Sequence, residues 1–106
     1  MAQFDVHRNP GQQRDLVPYV VVVQSCVYDG YKRRVVVPLG RKSEYGAVYN
    51  TRFLPVFTVK GVKVVLLPLD ITSVPVDRLG ESIASLAAHG DAIIGALDEL
   101  ITRAYD

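Results

Sequence analysis

The stretch that decides the fold is Tyr19-Val20-Val21-Val22-Val23-Gln24-Ser25-Cys26-Val27-Tyr28, then Asp29-Gly30-Tyr31-Lys32, then Arg33-Arg34-Val35-Val36-Val37-Pro38-Leu39. Four consecutive valines stiffen the backbone at χ1 and favour a pleated, buried strand over a helix. Pro18 marks the start of a strand expected over Tyr19 to Tyr28. Asp29-Gly30 is turn chemistry, so Arg33 to Leu39 is expected to return antiparallel and close a hairpin. Upstream, Phe4 and Val6 alternate with Asp5 and His7, which predicts a short strand over Gln3 to His7, ended by the polar turn Asn9 to Asp15. Downstream, Gly40 to Arg52 has no usable period and reads as a long surface connection, the kind of loop that often binds. Phe53 to Val59 and Val62 to Pro68 flank Lys60-Gly61 as a second hairpin, and Thr72 to Val76 adds an edge piece ended by Pro75. The period then changes. Ile93, Leu97, Leu100, Ile101 and Ala104 form one helical stripe, with Asp91 expected as the N-cap and Glu99 and Arg103 spaced for an i, i+4 pair. Leu79 to Ala88 suits either a helical turn or a strand. Five or six short strands curled into a small barrel and closed by one terminal helix is the fold this pattern predicts.

Composition supports a folded chain. At 106 residues, 49% hydrophobic and 22% charged, a single domain over residues 1–106 with one core is expected. The longest strongly apolar run is far shorter than the roughly 20 residues a membrane span needs, so a soluble cytoplasmic protein is expected. Cys26 is the one cysteine and can form no internal disulfide. Net charge is +1, without the strongly basic signature of a phosphate-neutralising protein. The two halves differ, however: up to residue 52 eight basic residues face four acidic ones, and beyond it four face seven. The basic first half suits an acidic partner better than bulk nucleic acid.

Residues able to carry catalysis are few. His7 is expected on the outward face of the first strand, and His89 just before the helix; they make no metal pair. Cys26, in a valine-rich strand, reads as an inert buried thiol. Asp70, Asp77 and Arg78 could form an acid–base cluster, but turns carry Asp mainly for backbone hydrogen bonds. Lys32-Arg33-Arg34 is a basic run at a hairpin, and no phosphate-cradling glycine loop is present. These residues point to a small binding domain, with no metal and no cofactor.

Several blocks in register carry a resemblance: Gln3-Phe4-Asp5-Val6, Pro18-Tyr19, Val23-Gln24-Ser25, Arg33 to Leu39, Leu54-Pro55-Val56 and Asp70-Ile71-Thr72-Ser73-Val74-Pro75-Val76. In this order the chain resembles the CcdB family, gyrase-directed toxins of plasmid and chromosomal toxin–antitoxin pairs, with only the Gly40 to Arg52 loop unlike. The resemblance implies a mainly β, SH3-like barrel of antiparallel strands with a C-terminal helix, the fold shared by CcdB, MazF and Kid. It implies a homodimer without catalysis that binds the A subunit of DNA gyrase and traps its cleaved-DNA complex. A cognate CcdA-like antitoxin would neutralise it through a disordered acidic segment, and no direct nucleic-acid specificity or membrane is implied. Carried over by position, the gyrase contacts are Val27, Tyr28, Asp98, Thr102, Arg103 and Ala104, the last three standing where the best-known member has Trp-Gly-Ile. Leu97, Leu100 and Ile101 would lie near the dimer axis. Two alternatives go with this reading. One is a ribonuclease toxin of the MazF and Kid type, which would need His7, Asp77 and Arg78 to converge. The other is a family member that keeps its antitoxin but has lost gyrase poisoning.

Overall fold

The computed structural model describes residues 2–102 and is built on seven antiparallel strands and one long helix. In chain order the strands are β1 (Asp5–Arg8), β2 (Tyr19–Val22), β3 (Arg33–Arg41), β4 (Val56–Val59), β5 (Val62–Leu66), β6 (Thr72–Pro75) and β7 (Ala84–Ser85). A one-turn helix α1 (Lys42–Tyr45) follows β3, and α2 (Gly90–Ile101) ends the fold. The sheet order is β4-β5-β3-β2-β1-β7, with β6 also on β3. β3 organises this arrangement. At nine residues it is the longest strand, and it pairs along one edge with β2 and along the other with β6 at its start and β5 at its end. One strand serving two partners on the same edge curls the sheet into a nearly closed barrel.

The valine run is apolar on both sides because both faces of β2 are covered. Tyr19, Val21 and Val23 point into the main core with Val6, Leu39, Phe57, Leu66 and Ile93, while Val20 and Val22 pack with Val36 and Leu79 on the opposite face. The second hairpin turns at Lys60 (φ 52°) and Gly61 (φ 78°), both left-handed, which is the tight two-residue connection that matches strand twist.

Five expectations are corrected. β2 stops at Val22, not at Tyr28, because side chains take over the backbone pairing: the Val35 amide donates to Gln24 Oε1 (2.9 Å) and the Val27 amide to Ser25 Oγ (3.3 Å), which starts a 3-10 turn over Cys26–Tyr28. Cys26 is therefore exposed, not buried. The long connection is shorter than expected, since β3 runs on through Arg41 and α1 follows it. Asp91 lies inside the first turn of α2, where its charge suits the helix dipole, and the cap position belongs to His89, which makes no side-chain capping bond. The open segment Leu79 to Ala88 resolves into the short strand β7 and a 3-10 turn.

The fifth correction is His7. It is 1% exposed, not outward, because it pairs across from Val20 and shares that strand's second, covered face. Among the described residues neither ring nitrogen has a hydrogen-bond partner. A buried polar group left unpaired costs about 1–3 kcal/mol. His7→Leu, which fills similar space without polar atoms, is expected to raise unfolding stability by about 1 kcal/mol in a denaturant titration. A loss of similar size would show that the imidazole is satisfied in solution.

Candidate partner-binding surface

The turn between β2 and β3 lifts side chains out of the barrel. Val27 is 79% exposed, Tyr28 54% and Tyr31 70%, and the two tyrosine rings lie 6.1 Å apart, tilted at 60°. The turn is held from below by Arg34, which is buried. Its guanidinium donates to the carbonyls of Tyr31 (2.6 Å), Asp29 (2.8 Å) and Arg33 (3.0 Å), and its Nε stands 3.7 Å from Asp29 Oδ1. Gln24 adds a second brace, donating from Nε2 to the Tyr28 carbonyl (3.1 Å) and the Arg33 carbonyl (3.2 Å). Arg33 in turn is clamped to β6, with Nε to Ser73 Oγ (2.6 Å) and a terminal nitrogen to the Ser73 carbonyl (2.8 Å). Behind the tyrosines runs a groove of about 450 Å³, lined by Gln24, Tyr28, Tyr31, Arg33, Val35 and Ser73. Exposed aromatics on a braced turn make a pre-organised docking surface, since little rotamer and loop freedom is left to lose on binding.

The second surface is one flank of α2. Ile93 and Ala96 are buried in the barrel, Leu97 and Leu100 are half-buried, and Ile101 is 64% exposed. The stripe read from the sequence is therefore too wide: at 3.6 residues per turn Ile101 stands nearly a quarter-turn from Ile93 and shares its flank with Ile94, itself 40% exposed. Ile94 was not singled out in the sequence, although its seven-residue spacing from Ile101 places both on one line. Asp98 and Thr102 are exposed beside this flank, in a shallow depression with Arg52, Gly95 and Glu99. Arg52 Nε lies 2.7 Å from Glu99 Oε1, while Thr102 Oγ1 donates to the Asp98 carbonyl (3.0 Å). Tyr28 thus lines one depression, with Val27 exposed beside it in the same turn, and Asp98 and Thr102 line another, with no lining residue in common among the described residues. Arg103 and Ala104, and with them the expected Glu99–Arg103 pair, lie outside the described residues.

The ribonuclease constellation does not assemble. His7 is sealed in the barrel with no hydrogen-bond partner among the described residues, while Asp77 and Arg78 are exposed in a 3-10 turn, where Arg78 reaches the Pro10 carbonyl (3.4 Å). Asp70 is likewise exposed. Among the described residues no three His, Cys, Asp or Glu side chains converge as a metal site, and no helix is long and apolar enough to cross a membrane.

A protein-family model described as CcdB protein matches residues 3–102. The chain belongs to the CcdB family. No curated protein matches it in a sequence comparison. CcdB membership supports the toxin of a toxin–antitoxin pair, and the matched span takes in Val27, Tyr28, Asp98 and Thr102 but ends before Arg103 and Ala104.

The segment from Gly40 to Arg52 is held to the barrel by the Arg52–Glu99 pair and by Tyr45. The Tyr45 ring lies over Gly40, where an added Cβ would stand 2.4 Å from the ring. Partial burial, then the Asp70 and Glu44 carboxylates, hold the Tyr45 phenol above its ordinary value near 10. A proton held more tightly in the folded state adds stability below that value, which is lost as pH rises through the shifted one. Tyr45→Phe is therefore expected to flatten the fall in thermal stability above about pH 10. An unchanged alkaline slope would contradict the assignment.

Proposed function

We propose that this CcdB-family protein is a non-enzymatic toxin, a single domain that acts as a homodimer in the bacterial cytoplasm, binds the A subunit of DNA gyrase and traps the cleaved-DNA complex. A cognate antitoxin, through a disordered acidic segment, neutralises it. The observation that carries the reading is the exposure of Val27 and Tyr28 on a turn braced by Arg34, at the positions where the family resemblance places gyrase contacts. Such a surface needs no nucleophile or metal. Its whole effect is binding energy, and aromatic anchors with a rigid backbone supply most of that at protein interfaces.

The exposed line of Ile94 and Ile101 on α2 supports the homodimer, with Leu97 and Leu100 beside it as further contact residues. Asp98 and Thr102 flank that line, so pairing two helices brings polar groups of both copies to one site. Arg103 and Ala104 are proposed to extend the same gyrase contact.

The test is a cleavage assay with gyrase, supercoiled plasmid DNA and the purified protein. Linear DNA is expected after denaturation of gyrase only when both proteins are present. Absence of linear DNA alongside antitoxin binding would favour the family member that has lost its target. Cleavage of RNA that disappears in Asp77→Ala, Arg78→Ala and His7→Ala would overturn the non-enzymatic reading.

A further inference from the structure

Three basic residues converge at the far end of β3, away from the tyrosine turn. Arg41 closes the strand, Lys42 opens α1, and Lys63 projects from β5 just past the Lys60-Gly61 turn. Together with Ser43, Gly61 and Val62 they line a cleft of about 370 Å³. The pairing of β3 with β5 builds it, since Arg41 sits opposite Val64, next to Lys63. Its cations keep donors to spare. Arg41 uses Nε on the Asp15 carbonyl (2.9 Å) and Lys42 one bond on the Gly46 carbonyl, and neither partner is a carboxylate. Among the described residues Arg41, Lys42 and Lys63 make no ion pair.

We propose that this cleft binds an acidic peptide segment of a partner protein. Three unpaired cations in one concave site favour carboxylates, and the Val62 side chain and the carbon stems of the three cations offer apolar contact between the charges. Nucleic acid fits less well. Among the described residues no aromatic side chain lines the cleft on which a base could stack, and the protein's net charge of +1 gives no broad phosphate track. The inference deepens the antitoxin half of the proposed function and rests on it only for the partner's identity.

The probe is a fluorescein-labelled twelve-residue peptide alternating Glu with Leu, Val and Ala, titrated with the full protein and followed by anisotropy. Saturable binding is expected, weakening at least about fivefold in Lys63→Glu and in Lys42→Glu, and falling as salt rises from 50 to 300 mM. Lys32→Glu, a basic residue at the opposite hairpin, is the control and is expected to bind as the unaltered protein does. Melting temperatures within about 2 °C of the unaltered protein show that the exposed Lys63 position is not needed for folding. Equal weakening in Lys32→Glu, no saturable binding, or tighter binding of a labelled oligonucleotide that depends on Lys63 would each overturn the proposal. Gyrase A binding measured on Lys63→Glu keeps the two readings apart: it is expected to be unchanged, so a protein that binds the peptide but not gyrase refutes only the gyrase contact.

Discussion

Arg34→Ala is expected to cost about 2–4 kcal/mol of folding stability and to lower the melting temperature by about 10 °C or more. The side chain is 7% exposed and donates to three carbonyls of one turn, so its removal leaves a cavity beneath the turn and strips the turn of its shared donor. Hydrogen bonds to a charged group are worth more than neutral ones, and part of the loss is offset where water reaches the freed Tyr31 carbonyl. Arg34→Lys is expected to recover less than half, because one ammonium cannot reproduce a planar fork aimed at three carbonyls. Calorimetry on the two variants decides it. A shift below about 3 °C in Arg34→Ala would mean that the turn holds itself.

The second large effect concerns affinity. Tyr28→Ala is expected to weaken gyrase A binding about 30- to 1000-fold, the range for an aromatic anchor at an interface, and Val27→Asp at least as much because it places an unpaired charge in the contact. Both side chains are exposed, so stability should stay within about 0.5 kcal/mol. Arg34→Lys should weaken binding too, though it touches nothing outside the protein, since it loosens the turn that presents Val27 and Tyr28. Surface plasmon resonance with immobilised gyrase A measures all three. Full affinity in Tyr28→Ala would remove this turn from the contact.

Much of this was legible in the residues themselves. The valine run, the two hairpins and the terminal helix follow from periodicity and turn chemistry, and Lys60-Gly61 turns as its residues require. The misplacements have separate causes, and for His7 it is that a curled sheet covers both of its faces. Alternation assigns His7 to solvent only if one face is wet, and here the second cluster of Val20, Val22, Val36 and Leu79 covers it. Cys26 and the end of β2 were misread because a glutamine side chain that completes a backbone ladder is a tertiary event, with Gln24 reaching Val35 eleven residues away. The candidate contact residues came from position within a family resemblance. The cationic cleft is legible only in three dimensions, since Lys63 meets Arg41 and Lys42 through strand pairing.

The central claim is that the protein works by binding gyrase through its turn and the end of α2. Its most direct test is equilibrium binding of the unaltered protein to purified gyrase A, beside Val27→Asp and a variant truncated after Leu100, with dimer state followed by light scattering. The account predicts micromolar or tighter binding by a dimer, lost in Val27→Asp while the dimer persists, and lost on truncation, which removes Ile101 to Asp106. No binding by a well-folded dimer, or binding that survives both changes, would contradict it.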